Sequence, residues 1–186
     1  MFASNEAKQY TMFKKVMYAL SFFVLVSATI QAQEVKQTLT EKIQVTFPGQ
    51  PVKRDLGPAV TYAVRLADST ANFTAMVTDL EKANDLTADA IAEAMQEPEF
   101  WEEVEEEFLM QMGKDAKVVS REPRKIGQFE GREMVVERPN LTGGTSKVTA
   151  WFFIEGKLIV YVVHNDRTGK ADQALKAKYF ASVVSR

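Results

Sequence analysis

The chain has 186 residues, 46% of them hydrophobic and 26% charged, with a formal net charge of −2. That is the composition of an ordinary globular domain, large enough to hold a core without metal or disulfide. It contains no cysteine and a single histidine, which excludes a disulfide framework, a thiol nucleophile, a lipid-modified cysteine and the usual cysteine- or histidine-ligated zinc site. The near-balanced charge gives no reason to expect nucleic acid or an anionic membrane as a partner.

Lys14 and Lys15 precede the apolar run Val16 to Ile30, and polar residues resume at Gln31. This order predicts a secretory signal peptide over residues 1–32, cleaved after Ala32 or, second, Ala28, with Met1 or Met12 as the start. The apolar run is shorter than the roughly 20 residues a membrane span needs. Removal of residues 1–32 takes away three lysines and one glutamate and leaves a mature chain of net charge −4. The expected product is exported, periplasmic or extracellular, with no stable membrane insertion after cleavage. A short lead, 33–38, then precedes one domain over 39–186.

Glu41 to Phe47 alternates, with Ile43, Val45 and Phe47 on one side, and predicts a half-buried strand ended by Pro48-Gly49. Further strands follow at Ala59 to Ala67 and Asn72 to Thr78, and the three suggest an antiparallel meander. From Thr87, a candidate N-cap, the period lengthens to that of a helix. Pro98 predicts a kink or restart, because proline is tolerated in a helix's first turn and harmful in its interior. The segment Glu99 to Met112 then buries Phe100, Trp101, Val104, Phe108 and Met112, ends at Gly113, and turns Glu102, Glu103, Glu105, Glu106 and Glu107 toward solvent.

Short strands are expected at Lys117 to Ser120 and Gly131 to Arg138. Ser146 to Asn165 reads as a hairpin folded at Glu155-Gly156, apolar on both faces, which requires cover above and below. Val148, Ala150, Phe152 and Ile154 should share one face; Thr149, Trp151 and Phe153 the other. A last helix, about Gly169 to Val183, buries Ala171, Ala174, Leu175, Tyr179 and Phe180. The fold class is α+β, a single-domain α/β/α sandwich with a central antiparallel sheet of about six or seven strands and helices on both faces.

The strand ending in Phe47-Pro48-Gly49, the Tyr62 strand, the Gly127 to Glu133 segment, the Leu158 to Val163 strand with Tyr161, and the helix closing on Phe180-Ala181-Ser182 together resemble the Mog1/PsbP-like α/β/α sandwich family, in particular its small exported bacterial members. The resemblance covers most of the mature chain and implies an antiparallel sheet between helices. Named members act as binding proteins, on a small GTPase or a photosynthetic complex; no motif here carries either partner over.

Chemistry is sparse. His164 could serve as a general base or metal ligand, but the neighbouring Asn165 and Asp166 read as loop, and an imidazole satisfied by loop backbone is the simpler reading. Consecutive glutamates from Glu102 to Glu107 fan around a helix and do not converge on calcium. Gly143 to Lys147 has the wrong spacing for a phosphate loop, and Gly127 to Gly131 lacks the context of a dinucleotide fingerprint. Asn72-Phe73-Thr74 and Asn140-Leu141-Thr142 match the glycosylation sequon. No catalytic, cofactor-binding or metal residue is assigned. The expectation is an exported, non-catalytic binding or accessory protein with a protein or small-molecule partner in the cell envelope. The alternative is an exported hydrolase with a carboxylate or His164 site.

Overall fold

A computed structural model describes residues 33–140 and 143–186. The expected signal segment and the last two residues of the second sequon, Leu141 and Thr142, therefore lie outside the described residues. Ten strands and four helices are described: β1 (Val35–Thr38), β2 (Ile43–Phe47), β3 (Val52–Asp55), β4 (Ala59–Arg65), β5 (Ala71–Asp79), α1 (Leu80–Asn84), α2 (Ala88–Ala94), α3 (Pro98–Met112), β6 (Lys117–Ile126), β7 (Phe129–Pro139), β8 (Thr145–Glu155), β9 (Leu158–Asp166), α4 (Gln173–Ala181) and β10 (Val184–Ser185).

Seven strands form one antiparallel sheet in the order β3-β4-β5-β9-β8-β7-β6, and β1-β2-β10 form a second, smaller one. The central pair is β8 and β9, as their two-sided apolar sequence requires. Trp151 pairs with Val162 and Phe152 with Tyr161, so the faces alternate as read from the sequence. The turn's central residues are Gly156 and Lys157, one position later than expected, because Glu155 still pairs with Leu158. Gly156 takes φ +57, the positive value a tight hairpin turn asks of its first central residue.

Helices α1 to α3 cover one face of the main sheet. Ile91, Trp101, Val104 and Phe108 pack there on Met76, Met134, Phe152 and Tyr161. Pro98 restarts the helical run at the first position of α3, where its missing N–H would have been unsatisfied in any case. The opposite face is covered by α4 and the small sheet, with Phe47, Tyr179 and Phe180 over Phe73, Phe153 and Val162. Tyr179 is buried; its hydroxyl donates to the Thr74 carbonyl at 2.8 Å, which satisfies the one polar atom that burial would otherwise strand.

Four expectations need correction. The Ile43–Phe47 strand does not join the Tyr62 and Phe73 strands in a meander; it belongs to the small sheet. Ile43, Val45 and Phe47 are fully buried, and the strand works as part of the lid. Its place at the sheet margin is taken by β3, whose Lys53, Arg54 and Asp55 carry no apolar alternation to betray a strand. The strand begun at Lys117 runs on through Pro123 to Ile126. It lies at the edge, where proline's lost donor costs no ladder bond and, with the surrounding charges, discourages pairing with another chain. Asn165 and Asp166 are strand, not loop. Finally, Glu105 and Glu107 are buried: α3 lies flat on the sheet, and its apolar stripe is too narrow to fill the contact without them.

Candidate functional site

The edge strand, its neighbours and the end of the chain together form a groove of about 440 Å³, lined by Lys125, Ile126, Gly127, Trp151, Phe180 and Ser185 among others. Its floor is aromatic. Trp151 stands on β8 toward the α4 side, and its ring lies 4.7 Å from that of Phe180 and 6.0 Å, edge to face, from that of Phe153. Trp151 pairs across the sheet with Glu133, and its indole Nε1 donates to Glu133 Oε2. The same oxygen accepts from Arg124 Nε at 2.9 Å and lies 2.8 Å from the second Arg124 nitrogen. The guanidinium sits 5.3 Å over the indole. Edge, face and polar tip of Trp151 are thus all held, and a half-exposed aromatic held this way presents contact area without losing rotamer freedom on binding.

Gly127 closes the groove's far wall. It adopts φ +56, and a Cβ there would fall 2.0 Å from Ser185 Oγ, so the β6–β7 turn can approach β10 only with glycine in place. The first glycine of the Gly127 to Gly131 segment is thus required by packing and not by a bound dinucleotide. Gly143 and Gly144 likewise belong to a hairpin connection, where Gly144 N–H donates to Asn140 Oδ1 at 2.8 Å.

The residues considered for catalysis lie elsewhere and apart. His164 stands on β9 beneath α4, 1% exposed, its ring 5.0 Å from that of Phe73. Burial, aided by the charge on Lys176, pushes its pKa down to about 4 against the pull of Asp166. It is neutral at physiological pH, and its Nε2 has no hydrogen-bond partner. The expected loop-backbone bond to that atom is not made. Asp166 cannot orient it through Oδ1, which accepts from Thr168, Gly169 and Ala171 N–H groups instead.

Glu107 is on the other side of the sheet, 5% exposed. Burial alone raises its pKa to about 7, and its charge would bear on the buried Tyr161 hydroxyl. Glu105 is raised too, chiefly by burial, against the opposing charge of Arg121, whose Nε is 2.8 Å away. Thus the histidine and the perturbed carboxyl that acid–base chemistry would need together are separated by the full thickness of the sheet. Among the described residues no three histidine or acidic side chains gather as metal ligands would.

The groove was missed in the sequence because it depends on register. Trp151 and Glu133 are 18 residues apart, and only the β7–β8 pairing makes them neighbours.

Comparison with solved structures places the fold. No protein-family model matches the chain and no curated protein sequence is similar to it. Cyanobacterial PsbP from Synechocystis is similar in structure with a TM-score of 0.50 at 11% identity, over 88% of this chain and 99% of that one. A Bacteroides thetaiotaomicron protein gives 0.41 at 15% identity, over 77% of this chain, which spans 45% of that one. A Pseudomonas aeruginosa protein of unknown function gives 0.42 at 14%, over 72% and 94%.

Proposed function

From a chain with the PsbP/Mog1-like fold, we propose an exported, non-catalytic binding module that engages a partner in the cell envelope through the Trp151 groove. The observation that carries this reading is the distribution of polar chemistry: His164 and Glu107, the histidine and the carboxyl that burial shifts most, lie on opposite faces of the sheet, whereas the open groove is built of fixed aromatic surface and a neutralised arginine. Such a surface can hold a ligand and has no group to activate one. Export rests on the signal pattern in residues 1–32; in addition, no described helix is long and apolar enough to cross a membrane.

The test is affinity capture from the envelope fraction with the wild-type chain and with Lys125→Glu and Val184→Arg, two exposed positions that alter the groove's rim and leave its core intact. A partner retained by the wild type and lost by both variants supports the proposal. Equal retention by all three would move binding to another surface, and capture of nothing by any would count against a binding module.

A further inference from the structure

One end of the main sheet, on the α3 side, gathers cations without counter-ions. Along neighbouring strands Arg65 pairs with Asn72, Asn72 with Asn165 and Arg138 with Ser146. Ser146 Oγ is 2.8 Å from Asn165 Oδ1 and 2.9 Å from the Asp166 carbonyl, so Arg138 and Asn165 flank one serine. Arg167 is two residues beyond Asn165, and its N–H donates to the Thr70 carbonyl at 2.9 Å, continuing the β5 pairing and returning its side chain to the same face. All three arginines are half-buried.

No ion pair among the described residues involves Arg65, Arg138 or Arg167. The neighbouring acids are committed elsewhere: Glu137 pairs with Lys147, Asp166 binds its own loop, and Asp68 binds Thr70. Burial first, and then the charge of Arg167, pull the Arg138 guanidinium below its usual range. On the same face, in the neighbouring row that runs through Asn165, Arg65 Nε and Asn72 Oδ1 are buried without partners, while Arg65 Nη2 donates to Ser69 Oγ at 2.9 Å. Two like charges brought together at a partly desolvated site, each with unused donors, destabilise the empty protein, and an anion between them would reverse the sign.

We propose that this sheet end is a binding site for a dianionic oxyanion group of the phosphate class, held between the Arg138 and Arg167 guanidinia with the Ser146–Asn165 pair beneath. Two charges are needed to neutralise two guanidinia; a monocarboxylate would leave one uncompensated. The fork geometry of arginine, unlike the point charge of lysine, matches paired oxygens. The site goes beyond the groove reading and is spatially separate from it, so either can fail without the other.

Thermal melting and calorimetric titration of the full chain, at constant ionic strength in chloride, inorganic phosphate, glycerol phosphate and acetate, test the proposal. Phosphate should raise the melting temperature over chloride, and acetate should not. Arg138→Gln and Arg167→Gln should each weaken phosphate binding at least tenfold, as should Arg138→Lys, while Lys114→Gln, an exposed cation at the end of α3, should not. Without phosphate, Arg138→Gln should melt no lower than wild type. Binding of glycerol phosphate as tight as that of the free ion assigns the group to a larger ligand; binding of the free ion alone assigns the ion itself. Equal effects of phosphate and acetate, phosphate binding untouched by both glutamine variants, or an Arg138→Gln protein destabilised in chloride would overturn it.

Discussion

Replacing Glu107 by Gln should make the protein more stable at pH 8 and leave it unchanged at pH 4. The carboxyl ionises at about 4.5 when exposed and at about 7 in the fold. Below pH 4.5 it is protonated in both states and contributes nothing. Between 4.5 and 7 the unfolded chain releases a proton that the folded chain keeps, so stability falls as pH rises, and above 7 the loss is complete. At 1.36 kcal/mol per pH unit the full effect is about 3 kcal/mol, which for a chain of this length corresponds to roughly 6–12 °C in melting temperature.

His164 works in the opposite sense. Its pKa falls from 6.5 to about 4 on folding, so between those values the unfolded chain holds the extra proton and stability rises with pH, again by about 3 kcal/mol in total. The two slopes cancel from about pH 4.5 to 6.5, and the wild-type profile should be flat there with respect to these groups. Urea unfolding at intervals from pH 4 to 8.5 would separate them: Glu107→Gln should show a rising profile over that window, and His164→Asn a falling one. A Glu107→Gln profile parallel to wild type, or a variant less stable at pH 8, would refute the claim that an unpaired carboxyl is held beneath α3.

Phe152→Ala should cost about 3–5 kcal/mol in urea unfolding, since its fully buried ring packs between those of Phe108 and Tyr161. Thr149→Val should be neutral or stabilise by about 1 kcal/mol in the same assay, because the Thr149 hydroxyl is buried without a partner at the sheet centre. Asp172→Ala should cost about 1 kcal/mol by thermal melting, having lost the carboxylate that accepts from Ala174 and Leu175 N–H groups at the start of α4. Gly127→Ala should destabilise by at least 1 kcal/mol, and Ser185→Ala should recover part of that loss, because the clash is with Ser185 Oγ.

The fold's centre was legible because strand periodicity and two-sided burial are local properties. Trp151, Phe152, Val160 and Tyr161 announce their faces by parity, and an apolar hairpin can satisfy them only in the middle of a covered sheet. What escaped depended on non-local geometry. Ile43, Val45 and Phe47 alternate as well as any strand in the main sheet, and nothing in their order says which sheet they join. Lys53 to Asp55 form a strand through pairing with β4, with no apolar signal. Glu105 and Glu107 sit in a run of acids whose solvated reading holds for Glu102, Glu103 and Glu106; helical periodicity places a residue on a face, and only the width of the opposing sheet decides whether that face is covered.

The same architecture bears on where function can reside. A sheet covered on both faces converts most of its side chains into core, and groups left polar inside it, such as His164 and Glu107, are isolated from one another by the β8–β9 backbone. Open, convergent chemistry is then confined to places where the cover stops. Among the described residues those are the β6 edge, where Trp151 meets β10, and the sheet end beyond α3, where Arg138 and Arg167 meet Asn165. Both sites draw residues from strands that are distant in sequence and adjacent in register. A change of one residue in the β7–β8 pairing would turn Glu133 and Arg138 to the wrong faces and abolish both at once, which ties the two proposed binding surfaces to the correctness of the central sheet.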